Sequence, residues 1–235
     1  METIIFDVFG DLALFRKFYT NTSILTYPFP PPTASIGIIG AILGIHKDDL
    51  VYKLKDAEVA ISIRSPIKKI RFSLNYINTK GRNFTLKLGR TQIPTEFIKD
   101  PHYRIYVRNL NEPLRSDLVS LLKEHRSVFI PYLGISELFA NFNFVDVRPS
   151  SDLEGEESVS TVVPLDSATI VPKVVGQRLI KERVPHVIDE NRVVKKYTDV
   201  VLDEERNPVV IKGKFSKVGD ENVIFFKSFG SFLSS

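Results

Sequence analysis

The sequence predicts an α+β fold of the ferredoxin-like, split βαβ kind, with a protruding β-hairpin and a small β-rich C-terminal extension. Three observations predict it. Strand-like runs of Ile, Val, Phe and Tyr alternate with two helix-like segments over the first ~150 of the 235 residues. A basic, glycine-punctuated stretch interrupts that alternation at residues 78–94. Short strand-like runs separated by turn signals fill the last third. The expected boundaries are a domain over residues 1–148, with the hairpin insertion at about 78–95, and an extension over 149–235.

Thr3 to Phe9 (TIIFDVF) opens the chain as a strand, and Gly10 ends it. Asp11 to Pro32 reads as a long loop. Its run Tyr27-Pro28-Phe29-Pro30-Pro31-Pro32 can neither start a helix nor supply ladder donors to an internal strand. A loop of this length in a compact domain usually carries function or lies under a partner. Thr33 to Gly44 (TASIGIIGAILG) reads as a helix capped by Thr33. Each of its internal glycines costs about 1 kcal/mol relative to alanine, so close approach to a sheet or another chain is expected in compensation.

Glu58 to Arg64 and Lys69 to Ile77 read as strands, the second clearly alternating, and Tyr103 to Arg108 as another. Pro113 to His125 reads as the second helix, with Asn111 a candidate cap and Leu114, Leu118, Leu121 and Leu122 on one side. A turn near Pro131 to Gly134 leads into a short helix, Ser136 to Ala140, and then a strand, Phe144 to Val147. Ser150 to Ser158 (SSDLEGEES) is polar and acidic and reads as a linker or surface loop. Ser160 to Val163, Arg183 to Ile188, Val193 to Leu202, Val209 to Lys212 and Val223 to Phe229 read as the strands of the extension.

Apolar residues make up 43% of the chain and charged residues 26%, the balance of a folded globular protein. The absence of cysteine removes disulfides, zinc ribbons and thiol catalysis together, and fits a reducing cytoplasm. The longest largely apolar stretch, Ala34 to Ile45, falls short of the ~20 residues that span a bilayer. The N-terminus reads as a strand without a signal peptide's charged lead, so a cytoplasmic protein with no membrane partner is expected. From Arg64 to Arg108 eleven basic residues stand against two acidic ones, a net +9. The whole chain is +4, so the remainder is −5. One contiguous segment thus holds the entire positive excess, which suits a polyanionic partner.

Several ordered blocks add to this. Phe6 to Gly44 holds a strand ending in Phe-Gly, then Phe15-Arg16-Lys17, Thr22-Ser23, the Pro/Phe run to Thr33-Ala34, and a helix ending Gly40-Ala41-Ile42-Leu43-Gly44. Further on come Thr91-Gln92-Ile93-Pro94, Lys99-Asp100-Pro101-His102-Tyr103-Arg104-Ile105-Tyr106-Val107 and Tyr132-Leu133-Gly134-Ile135-Ser136-Glu137. This set resembles the CRISPR-associated protein five family, the RAMP-type subunits of the type I Cascade complex, and most of all its type I-B branch. The resemblance covers residues ~1–148. It implies an RRM-like ferredoxin domain with a thumb hairpin that binds the repeat-derived 5′ handle of guide crRNA. It also implies a place at one end of a filament of backbone subunits, beside the large subunit, with target DNA met indirectly through the complex.

Two segments carry the candidate RNA contacts. In the basic segment, Lys68, Arg71, Lys80, Arg82, Arg90 and Gln92 are interleaved with Phe72, Tyr76 and Phe84, offering cations to phosphates and rings to unstacked bases. The bland alternative is a solvated strand face. In the early loop, Arg16 and Lys17 suit phosphate, Tyr19 suits stacking, and Thr22 and Ser23 suit hydrogen bonding. There the alternative is an ordinary surface loop. The helix start at Thr33 and Ser35 offers free backbone N–H groups to a phosphate or, alternatively, caps itself.

No catalytic residue, metal or cofactor is expected. The four histidines, His46, His102, His125 and His186, do not pair at metal-ligand spacing. In the family's type I-C branch this subunit is itself a metal-independent endoribonuclease that processes precursor crRNA with a tyrosine, a lysine and a histidine. His102 with Tyr103 or Tyr19 is the arrangement that would imitate it here. Tyr27, Phe29, Phe226, Phe229 and Phe232 are candidate protein-contact residues, with an ordinary core as the alternative.

Overall fold

The computed structural model describes residues 1–20, 22–77, 90–172 and 177–230. In chain order the strands are β1 (Glu2–Phe9), β2 (Leu12–Ala13), β3 (Phe15–Arg16), β4 (Thr26–Tyr27), β5 (Glu58–Ile63), β6 (Lys68–Ile77), β7 (Arg90–Lys99) and β8 (His102–Arg108). They continue as β9 (Asn141–Val159), β10 (Val163–Pro164), β11 (Ala168–Ile170), β12 (Leu179–Ile188), β13 (Val194–Asp203), β14 (Val209–Val218) and β15 (Glu221–Val223). The helices are α1 (Pro32–Leu43), α2 (Leu50–Lys53) and α3 (Leu114–Lys123).

The main sheet runs β11-β14-β9-β1-β8-β5, with β15 also paired to β14, and every neighbouring pair is antiparallel. Alternation along β1 sends Ile4, Phe6 and Val8 to one face. There they meet Val59 and Ile61 of β5, Ile105 and Val107 of β8, and the inward residues Ile36, Ile39 and Ile42 of α1 and Leu118 and Leu122 of α3. Each such fully buried side chain contributes about 1.5–3 kcal/mol of apolar burial. On the opposite face Ile5, Ala60 and Tyr106 lie under Val218, Val223 and Phe225. A three-stranded ribbon, β10-β13-β12, adds Val184, Val187, Val200 and Leu202 to the main core beside α1.

Several expectations are corrected. Lys69 to Ile77 is a strand, as its alternation predicts, but it leaves the main sheet and pairs along its whole length with β7, in a sheet ordered β2-β7-β6. The hairpin's paired stem therefore begins at Lys68, ten residues before the expected insertion. Its connection, residues 78–89, lies outside the described residues. Ser150 to Ser158 is no linker. It is the second half of the 19-residue β9, whose first half pairs with β1 and whose second half pairs with β14. Its acidic residues face a basic strand, with Glu154 opposite Lys214 and Glu156 opposite Lys212, and opposite charges across a ladder favour the pairing. The division at 148/149 falls inside this strand. Ser136 to Ala140 is not helical; it closes a turn through the bridge Tyr132↔Phe139.

Helix α1 begins at Pro32, and Thr33 provides no side-chain cap. The Ser35 hydroxyl instead donates to the Pro30 carbonyl at 3.2 Å, and Ser35 is buried, so this helix start is not an open phosphate cradle. Gly40 has the close-approach reason anticipated for the helix glycines: a Cβ there would lie 2.2 Å from Leu50 Cδ1 on α2.

Candidate nucleic-acid interface

The early loop and the basic hairpin are sewn together. Leu12 and Ala13 pair with Lys99 and Ile98 of β7. Ile24 then donates its N–H to the Pro94 carbonyl at 2.9 Å and accepts from the Glu96 N–H at 2.8 Å. Leu14, Ile24 and Phe97 form a small apolar core beneath this seam, joined by Ile70, Leu74 and Ile93 of the hairpin. Two segments some 70 residues apart in sequence are therefore neighbours in the fold.

In the loop Arg16, Tyr19, Thr22 and Ser23 are exposed, and in the hairpin so are Lys68, Arg71, Arg90 and Gln92, with Arg71, Arg90 and Gln92 on one face of the ladder and Lys68, Phe72 and Tyr76 on the other. Lys80 and Arg82, with Phe84, lie outside the described residues. Arg16 is held by a 3.0 Å bond from its guanidinium to the Thr20 carbonyl. Tyr19 is 53% exposed and meets Phe18 edge-on, with ring centroids 5.2 Å apart. Phe72 stacks on Phe97 at 4.2 Å and keeps an open face, as does Tyr76. Lys68 and Lys99 are direct cross-strand partners, both exposed. Two like charges placed opposite each other destabilise a ladder, and an anion between them removes that penalty.

Lys17 behaves differently. It is 7% exposed, and its ammonium is ion-paired with Glu182 of β12. Burial pulls the Lys17 pKa down, but the hydrogen bond and charge of Glu182 outweigh it, so the pKa is raised and the group stays charged. Its charge is met inside the chain.

The +9 of the basic segment is also reduced. Arg64 pairs with Glu221, Lys69 and Arg71 with Glu96, Arg104 with Asp7, and Arg108 with Glu58 and Asp152. Three of the eleven cations, Arg64, Arg104 and Arg108, are thus partnered by carboxylates from outside the segment, which a count along it cannot register; Glu96, the partner of Lys69 and Arg71, is already in that count. Sequence reasoning also missed Phe18, half exposed and packed on Tyr197 of β13 at 4.4 Å. Its place beside Tyr19 was the available signal.

Glu96 anchors the root of the hairpin. Its carboxylate is 4% exposed between Lys69, at 3.1 Å, and Arg71, at 2.9 Å. Burial raises its pKa, but the bonds from Arg71 and Lys69 more than offset this and hold it below the usual 4.5. A carboxylate with a depressed folded pKa contributes stability that is fully present above the unfolded value and is lost as the pH falls through the folded one. Glu96→Gln is therefore expected to cost about 1–3 kcal/mol at neutral pH. The gap between the two proteins' urea midpoints should shrink as the pH drops below about 4.5. A gap that stays constant from pH 7 to pH 3 would show that the ion pairs contribute nothing.

His102 and Tyr103 are not brought together. His102 Nε2 lies 3.2 Å from Asp7 Oδ2, on a face shared with Arg104. Tyr103, the next residue along the strand, points the other way; it is fully buried, and its hydroxyl donates to the Pro28 carbonyl at 3.1 Å. Burial raises its pKa far out of the working range. Tyr19 belongs to the loop cluster beside Tyr197. No cluster of His, Asp and Glu suited to a metal occurs among the described residues. A cleft of about 630 Å³ between β9, β14 and the segment after β15 contains Lys214, Phe215 and Phe225, but the Arg108 at its base is committed to Glu58 and Asp152. Tyr27, Phe29, Phe226 and Phe229 are buried within the chain, and Phe232 lies outside the described residues.

Comparison with known proteins places this architecture. A CRISPR protein from Archaeoglobus fulgidus, known from a crystal structure, is 16% identical, with 97% of this chain and 99% of that one aligned at a TM-score of 0.60. A chain of a CRISPR RNA-guided surveillance complex aligns at 0.53, with 12% identity over 88% of this chain and 91% of its own. A chain of the type III-B Cmr-β complex, bound to cognate target RNA and AMPPnP, aligns at 0.50, with 12% identity over 90% and 86%. At these identities the likeness is one of fold. No curated protein matches the chain in sequence. The CRISPR-associated protein (Cas_Cas5) family matches residues 3–200, the greater part of the sequence, and the chain belongs to that family.

Proposed function

We propose that this chain is a non-catalytic subunit of a type I CRISPR Cascade surveillance complex and holds the 5′ handle of the guide crRNA between its basic hairpin and its early loop. Family membership supports a CRISPR role. The order β9-β1-β8-β5, all antiparallel, with α1 after β1 and α3 before β9, supports a ferredoxin-like RAMP core. In that core the β6–β7 hairpin is the thumb. The single observation that carries the reading is the Ile24 seam, which fixes the early loop, with its exposed Arg16 and Tyr19, against the strand β7 of the basic hairpin. Backbone subunits, the large subunit and, through the complex, target DNA are the partners this role requires, and the cytoplasm is its compartment.

Single-stranded RNA binding releases about 0.7 counterions per phosphate contact. The variant Arg16→Glu, Lys68→Glu, Arg90→Glu should bind single-stranded repeat RNA roughly a hundredfold more weakly, and its log K against log salt should lose about 2 units of slope. Unchanged affinity and slope would overturn the proposal. Repeat RNA incubated with the protein in EDTA should stay intact. Discrete handle-length products that vanish with His102→Ala would instead establish the endoribonuclease reading, against which the burial of Tyr103 speaks.

A further inference from the structure

We infer that Lys17 and Glu182 act as a positioning clasp, which fixes the shape of the RNA-contacting loop and makes the β12–β13 ribbon a working part of the interface. The inference rests on the RNA-binding reading above for its purpose, but the clasp itself stands on geometry.

The two residues are 165 apart in sequence and both are nearly buried, with side chains 9% and 10% exposed. Around them the loop is tied to itself and to the ribbon. The Lys17 N–H donates to the Leu25 carbonyl at 2.8 Å, closing the base of the loop. The Thr20 hydroxyl donates to the Lys17 carbonyl at 2.8 Å, and Thr20 in turn accepts from Arg16 at 3.0 Å. The Lys17 ammonium lies 5.6 Å from the centre of the Tyr27 ring and 5.9 Å from that of Tyr19. From the ribbon, the Arg183 carbonyl accepts from the Tyr27 hydroxyl at 2.7 Å, and Tyr197 packs on Phe18 at 4.4 Å.

Lys17 is thus the hub on which the poses of Arg16, Tyr19 and Thr20 converge, while its own charge is turned inward. Removing either partner leaves an uncompensated charge where water is scarce, which is far costlier than losing a surface pair. A loop ordered in advance spares the RNA the entropy of ordering it. Arg16 and Tyr19 touch the ligand in this scheme, and Lys17 and Glu182 act only through them.

Hydrogen exchange on the full chain, with titrations of single-stranded repeat RNA, tests this. In Glu182→Gln the amides of residues 16–20 should exchange about tenfold faster or more, and the RNA Kd should rise about tenfold. The salt slope should stay unchanged, because no phosphate contact is lost. The charge-swapped chain, Lys17→Glu with Glu182→Lys, should recover both slow exchange and affinity; a lysine that touched phosphate could not be rescued this way. Unchanged exchange in Glu182→Gln overturns the clasp. A slope that falls by about 0.7 in Lys17→Met overturns the positioning role and restores Lys17 as a direct contact. Failure of the wild-type chain to bind RNA sinks the functional reading and with it the ribbon's part in an RNA interface, whereas the exchange data still report on the clasp itself.

Discussion

Gly134→Ala is expected to cost the folded state more than about 4 kcal/mol, among the largest effects of any single substitution in the chain. Gly134 has φ +101°, a backbone conformation that side-chain-bearing residues rarely adopt. A Cβ there would also stand 1.9 Å from the Leu14 carbonyl oxygen and 2.5 Å from its carbon. Both atoms are backbone, so no rotamer change relieves the clash. The two segments are held at this distance by the Leu14 N–H, which donates to the Leu133 carbonyl at 2.9 Å, and by the burial of Leu14 and Leu133 themselves. The turn at 132–134 is thus the floor on which the early loop rests. Urea melts followed by circular dichroism measure the loss, and a difference under about 1 kcal/mol would show that the contact is not needed. Because β3 follows directly on Leu14, the residual folded population should also show faster exchange around Arg16.

What the sequence could reveal about the fold was its local part. β1, β5 and β8 were legible because β-branched and aromatic residues recur at period two, and both helices announce themselves by their proline entry or leucine face. Periodicity names a strand but not its partner. Lys69 to Ile77 therefore reads as a member of the core sheet, whereas its ladder goes entirely to β7. The second half of β9 was hidden for a related reason. Asp152, Glu154 and Glu156 look like a solvated linker until β14, more than fifty residues later, places Ser216, Lys214 and Lys212 opposite them.

The interface divides along the same line. Arg16, Tyr19, Thr22, Ser23, Lys68, Arg90 and Gln92 are residue types whose exposure follows from polarity and position, and they lie at the surface. Lys17 differs from Arg16 by nothing visible in the sequence, yet its partner sits in another third of the chain. The same holds for Arg104 and Arg108, which read as part of a cationic segment and are committed to Asp7, Glu58 and Asp152. A linear charge count measures how many cations a segment contains. The number left for a ligand depends on where the carboxylates fold.

Phe226→Ala is expected to destabilise the protein by about 3–5 kcal/mol, through a cavity and an uncovered sheet edge together. After β15 the chain crosses the open side of β5, and the Phe226 N–H donates to the Val59 carbonyl at 2.8 Å, pairing an edge that would otherwise be exposed. The ring itself is 1% exposed and meets His186 edge-on at 5.4 Å. A carbonyl can only accept, so His186 Nε2 donates to the Lys227 carbonyl at 2.7 Å, and Nδ1 accepts from the Thr198 hydroxyl at 2.8 Å. Truncation of the ring would open space beside this imidazole and slacken the strap that carries its acceptor. Tyr52→Ala, at a position 77% exposed, is the matched control and should change stability by less than about 0.5 kcal/mol. Equal urea midpoints for the two variants would refute the structural role of the strap. His186 lies on β12, the strand that also carries Glu182, so the strap and the Lys17–Glu182 clasp share one strand. Loosening the strap should therefore quicken exchange at residues 16–20 as well, while a surface substitution of equal size should leave that loop untouched.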